Sequence, residues 1–293
     1  KVPCPKLQKR KVDALTKEQA QRFFGILKGC DLDKAAKDIK AARPTAFDLF
    51  YAVDYMYARL KDGADPVEAA DGYAQMMVDK CTAIGKYGGQ LVKDGMKLMT
   101  HCNAGALATV DVGTALAPMR DAHSRGVDFF VYVSETRPRL QGMQLTAWEL
   151  AQEGIDHRII PDGASAYYMS QGVDMIITGA DRIASNGDFA NKIGTSGVAI
   201  LAKHYGIPVY TLGPTSTIDM NCPDGAHIPI ELRDGDEIKN LWYEKPMALP
   251  EVKCFNPSFD VTDHELLTGI VTEKGICYPP FTESLAALFK DKE

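Results

Sequence analysis

The alternation that begins after Gly95 limits this chain more than any other feature. Short apolar runs at 97–102, 128–136, 156–162, 175–183 and 208–214 are separated by helix-type runs at 106–123, 143–153, 164–170 and 193–205. Strands that alternate with helices in this way predict an α/β fold, a mainly parallel, Rossmann-like sheet with helices on both faces. Ligands of such sheets sit beyond the carboxyl ends of the strands. Those ends here carry Cys102, Ser134-Glu135-Thr136, Asp162, Asp181 and Gly213-Pro214-Thr215. No G-x-G-x-x-G follows any of them, so the pattern does not point to a nicotinamide or flavin.

The earlier part of the chain reads differently. A helical pattern opens at Thr16 with Ala20, Phe23, Phe24 and Leu27 on one face, and helices are expected over 31–42, after Pro44, and over 65–93. The expected organisation is therefore a smaller, mostly helical N-terminal domain over 1–94 and a Rossmann-like catalytic domain over 95–293. Arg43 stands at an expected helix start, where a cation is unfavourable unless an anion joins it.

Composition narrows the function. A net charge of −6 lacks the concentrated basic face of a nucleic-acid binder, so no nucleic-acid partner is expected. Seven cysteines without a C-x-x-C pair argue against a disulfide framework and a zinc site. No metal and no cofactor is expected. No apolar run reaches the roughly 20 residues that span a bilayer, and no signal-peptide pattern is visible, so no membrane partner and a cytoplasmic location are expected.

Two residues at strand ends can move protons. Cys102 is followed by Asn103, Ala104 and Gly105 and then by an expected helix, whose N-terminal amides would bind an anion and favour a thiolate. Asp181, screened from water by apolar neighbours, would stay protonated near neutral pH and serve as an acid. His101 is expected to point away from Cys102, since neighbouring strand residues face opposite sides. Arg137, Arg139 and Arg182 read as braces, with Glu135 and Asp188 close in sequence.

Four blocks stand in order: 100–109 (THCNAGALAT), 135–142 (ETRPRLQG), 179–183 (GADRI) and 186–195 (NGDFANKIGT). Together they resemble the methylthioribose-1-phosphate isomerases, which share their fold with ribose-1,5-bisphosphate isomerases and with regulatory subunits of the translation-initiation exchange complex. The segment 145–150 (LTAWEL) is most similar to the methylthioribose branch. The resemblance implies that Cys102 and Asp181 are the catalytic pair and that Arg43, Gln141, Asn191 and Lys192 hold a sugar phosphate. It also implies a homodimer. No Arg-Gly pair precedes Arg43, so the family's Arg-Gly-Ala-Pro loop either lies outside this sequence or is dispensed with. The implied reaction opens an aldose 1-phosphate and moves hydrogen from C2 to C1, with Asp181 as acid at the ring oxygen. Cys102 is either the base at C2 or a supporting group for a hydride shift. Readings of ribose-1,5-bisphosphate isomerase and of a non-enzymatic regulatory subunit stay open at this point.

Overall fold

A computed structural model describes residues 31–290. The chain divides into two compact units, 1–42 and 43–293. The described part of the first is helix α1 (Leu32–Ala42), opened by Asp31, whose Oδ1 accepts from the N–H groups of Asp33 and Lys34. The helix expected from Thr16 lies outside the described residues.

In the second unit α2 (Phe47–Lys61) and α3 (Pro66–Gly89) precede the first strand. Asp65 caps α3 by accepting from Val67 and Glu68, and Pro66 fits its first turn, where no N–H is needed. The division falls at Ala42/Arg43 rather than at 94/95, and α3 gives the reason. It buries Met77, Cys81 and Ile84, and Ile84 shares one core with Leu98, Leu116, Met119 and Leu212. Its apolar face belongs to the sheet.

After β1 (Met96–Thr100) come α4 (Ala117–Ser124), β2 (Phe129–Ser134), α5 (Ala147–Glu153), β3 (His157–Ile160), α6 (Ser165–Ser170) and β4 (Met175–Gly179). There follow β5 (Arg182–Ala184), β6 (Phe189–Lys192), α7 (Thr195–Tyr205), β7 (Val209–Leu212), β8 (Ile218–Asp219) and α8 (Asp236–Asn240). The chain closes with β9 (Phe259–Thr262), β10 (Gly269–Thr272), β11 (Gly275–Cys277) and α9 (Phe281–Ala287).

The main sheet has seven strands in the order β11-β10-β7-β4-β1-β2-β3, parallel throughout except for the β10–β11 pair. Its inner strands alternate between two cores. Leu98, Met175 and Ile177 face one, and Met99 and Ile176 face the other. The chain runs outward from β1 to β3, then returns to the other side of β1 with β4. That reversal makes β1/β4 the switch point, and a crevice opens beyond their carboxyl ends. A second sheet, β8-β5-β6-β9, stands beside this point in sequence, because the run expected as one strand over 175–183 breaks at Ala180-Asp181 into β4 and β5.

The expected helix over 106–123 is a helix only from Ala117. Thr109 competes for the backbone in the missing part: its hydroxyl donates to the Gly105 carbonyl and accepts from the Gly113 N–H. Gly113, at φ 89°, folds against Gly105, where a Cβ would come within 2.6 Å of the Gly105 Cα. Residues 103–114 are thus a doubled-back loop.

Candidate active site

Cys102 stands two residues beyond β1, and Asp181 two residues beyond β4. Both line one cleft of about 740 Å³ at the switch point. Arg43, Asn103, Ala104, Gln141, Asn191 and Lys192 line the same cleft, so most of the residues singled out in the sequence meet there. Gly105 lies just behind the wall, its Cα face closed by the Glu149 carboxylate, where a Cβ would sit 2.2 Å from Oε2.

Local bonds explain how distant residues arrive. The Phe47 N–H donates to the Asp181 carbonyl (2.9 Å), fixing the start of α2 against β4's end. Arg182 donates to the Pro44 carbonyl (3.3 Å), and its guanidinium lies over the rings of Phe47 and Phe50 at 4.9 and 5.4 Å. Arg43 is thereby held 3.9 Å from the Asp181 carboxylate. Gly142 brings Gln141 in: a Cβ there would lie 1.8 Å from the Ser134 carbonyl oxygen, so only glycine allows this segment to press on β2.

The bracing arginines find partners other than those nearest in sequence. Arg182 pairs with Asp219 at 3.6 Å, Arg139 with Glu237, and Arg137 donates to the Ile238 carbonyl. Asp188 instead accepts from Asn186, Gly225 and His264. Asp188, Asp263 and His264 are also the grouping of possible metal ligands among the described residues, and none of them lines the cleft. His101 does not line the cleft; its Nε2 donates to the Ile193 carbonyl (2.8 Å), and since Cys102 is left-handed and lies beyond β1, strand alternation is not what separates the two side chains.

The electrostatics depart from expectation at Cys102. Without a helix start behind it, and with the N–H groups of Ala106 and Leu107 already donating to Glu149, the loop offers no helix terminus to a thiolate or an anion. Burial pushes the Cys102 thiol up to about 12, against the pull of Lys192. Burial raises the Asp181 carboxyl, with Lys192 and Arg43 opposing. Lys192 is 7% exposed. Burial lowers its ammonium, while Cys102 and Asp181 pull it back. Among the described residues it makes no ion pair, and its Nζ sits 4.4 Å from the centre of the Phe259 ring. A buried cation without a carboxylate partner is costly unless an anion arrives. The side-chain oxygens of Asn103 and Gln141 are buried without a hydrogen-bond partner and face the same demand for a polar ligand.

The walls differ in character. Arg43, Lys192, Arg139 and Arg233 bring cationic groups, whereas α2, α3 and the loop bring Leu49, Ala52, Met77, Leu107 and Val110, with Asp48 and Tyr73 among them. Burial raises the Asp48 carboxyl. Sequence reading missed Arg233, whose Nε lies 2.9 Å from Glu231, because an irregular segment gives it no periodic signal. It also left Thr136, Thr146 and Glu149 without a role, although Thr136 lies in the 135–142 block and the other two in the 145–150 segment.

Comparison with known proteins places the chain in a family. The model of the initiation factor 2 subunit family matches residues 9–279. The methylthioribose-1-phosphate isomerase of Symbiobacterium thermophilum is 52% identical over 265 residues, covering 87% of this chain and 74% of that protein. The 5-deoxyribose 1-phosphate isomerase of Petrotoga mobilis is 48% identical over 261 residues, covering 85% and 74%. The crystal structure of 5-methylthioribose 1-phosphate isomerase from Pyrococcus horikoshii superposes with a TM-score of 0.79 at 39% identity, over 92% of this chain and 76% of that one. Subunit delta of translation initiation factor eIF-2B from A. fulgidus gives 0.78 at 36% identity, over 94% and 80%. With a family model spanning nearly its whole length and relatives near half identity, this chain belongs to the initiation factor 2 subunit family.

Proposed function

We propose that this protein is an aldose–ketose isomerase that converts 5-methylthioribose 1-phosphate, or 5-deoxyribose 1-phosphate, to the corresponding ribulose 1-phosphate. The observation that carries the reading is the cleft with unlike walls. Cations suited to one phosphate face an acid and a thiol, and an apolar wall suits a methylthio or methyl group. A second phosphate at C5 would lie among Leu49, Ala52, Met77 and the Asp48 carboxyl, at a cost of several kcal/mol. A regulatory subunit that only senses sugar phosphates has no need of a half-buried carboxyl and thiol in one cleft.

In this reading Arg43, Lys192, Gln141 and Asn191 hold the C1 phosphate. Asp181 gives its proton to the ring oxygen as the C1–O4 bond breaks, leaving cationic character at C1. The hydrogen on C2 then moves with its electron pair to C1. The O2 proton returns to the Asp181 carboxylate, and C2 becomes the ketone. Desolvation holds the Cys102 thiol protonated, which disfavours proton abstraction by Cys102 and favours this direct shift. Cys102 then acts as a neutral, weakly hydrated group that keeps water from the cationic carbon.

Methylthioribose 1-phosphate, 5-deoxyribose 1-phosphate and ribose 1,5-bisphosphate assayed side by side in deuterated water test both parts. Higher kcat/KM for either single-phosphate sugar is expected, with product free of solvent deuterium at C1. Preference for the bisphosphate would overturn the substrate assignment, and deuterium at C1 would restore Cys102 as base. Cytoplasmic location and a homodimer belong to the same reading. Leu232, Met247, Leu249 and Phe255 are exposed apolar side chains available for such pairing. Sedimentation at micromolar concentration should show twice the chain mass of 32.0 kDa, and a species of one chain's mass alone would exclude the dimer.

A further inference from the structure

We propose that Thr136 and Thr146 are positioning residues that clamp Cys102 in a left-handed backbone conformation and so aim its thiol into the cleft. The inference rests on the isomerase reading only for its kinetic arm. Cys102 has φ 67°, a conformation that residues with a Cβ rarely adopt, and Thr136 has φ 66°. For a β-branched residue that value is an outlier, and such outliers persist only where the surroundings hold them. Thr136 is fully buried.

The two outliers are bonded to each other. The Cys102 N–H donates to Thr136 Oγ1 (2.9 Å), and that hydroxyl donates to the Ser134 carbonyl (3.0 Å). On the other side of the same residue, Thr146 Oγ1 donates to the Cys102 carbonyl (2.7 Å) and accepts from Asn103 Nδ2 (3.1 Å). Each hydroxyl thus has its donor and acceptor roles fixed, and between them they hold both peptide groups that set the Cys102 backbone angles. Each clamp is anchored in turn. Asp162, beyond β3, accepts from the N–H groups of Thr136 (2.8 Å) and Arg137 (2.7 Å). Glu149, one helical turn after Thr146, accepts from Asn103, Ala106 and Leu107 and pairs with Arg120 at 2.7 Å. The ends of β1, β2 and β3 and the start of α5 are therefore joined through Cys102. Neither hydroxyl lines the cleft, so their effect on chemistry passes through the thiol's placement.

The test compares Thr136→Val and Thr146→Val with Thr136→Ser and Thr146→Ser. Valine keeps the branched shape and removes the hydrogen bonds, whereas serine keeps the hydroxyl. Each valine variant should lose about 10- to 100-fold in kcat with KM within about 3-fold, because a small misplacement of a reacting group acts on the chemical step. Alkylation of Cys102 by iodoacetamide, followed on its own peptide, should be at least about 5-fold faster as the thiol gains freedom. Both serine variants should match wild type in both readouts. Folded valine variants with wild-type kcat and alkylation rate would overturn the proposal. So would serine variants as impaired as valine, a comparison that holds even where a valine variant fails to fold. If the wild-type protein turns over no sugar phosphate, the isomerase reading fails while the alkylation arm still decides the clamp.

Discussion

Asp181→Asn lowers kcat by about 10²–10⁴, the usual range for removing a proton-transfer group, while circular dichroism remains that of the wild type. The amide keeps the shape and loses the proton. Wild-type activity should fall as pH rises through the raised Asp181 value, since the acid then has nothing to give. The variant's residual rate should lack that limb. Stability carries a second signature. A carboxyl whose folded pKa lies above its unfolded value favours folding at low pH, and that advantage is lost as pH rises through the folded value. Asn carries no charge to bury. The melting temperature of Asp181→Asn relative to wild type should therefore be higher at pH 8 than at pH 4. An unchanged kcat, or a relative stability independent of pH, would remove Asp181 from the acid's role.

Lys192→Met is expected to cost about 10²–10³ in kcat/KM for any sugar phosphate, the range for truncating one partner of a desolvated charge pair. Methionine preserves much of the packing against Phe259, so the fold should survive. Inorganic phosphate offers a readout without turnover. At about 100-fold above its dissociation constant it should stabilise the wild type by about 2.7 kcal/mol, visible as a rise in melting temperature. The same phosphate concentration should barely move Lys192→Met. Equal shifts in both proteins would place the anion elsewhere.

Much of this site is legible in the sequence because strand ends are. The periodic runs locate β1 and β4, and the residues just past them, Cys102 and Asp181, have to emerge at one edge of a parallel sheet. Lys192 and Asn191 are found through the 186–195 block rather than through any periodicity, and both lie at the end of β6. The loop after Cys102 is not legible. Residues 106–116 have enough alanine and leucine to read as helix, and only the contact of Gly113 with Gly105 and the Thr109 hydroxyl show why they are not. That error propagates into chemistry, since the expected low thiol pKa rested on a helix start that forms only at Ala117. The domain boundary is likewise hidden. Helical periodicity marks α3 as a helix but cannot say that its buried face belongs to the sheet.

The cleft draws its walls from residues as far apart as Arg43 and Phe259, and from both sheets. Cys102 follows β1 of the larger sheet, while Lys192 and Phe259 are paired strand neighbours in the smaller one. During synthesis the thiol, the acid and the ammonium are therefore all made long before the strand that seats the ammonium leaves the ribosome. Contacts so distant in sequence form late, because the loop entropy they close must be met before they reward it. A nascent chain ending before β9 would present its buried cation and its apolar wall to water, without a ligand site to show for them. Emergence of β9, rather than formation of the first parallel strands, is then the step that completes the cleft around Lys192.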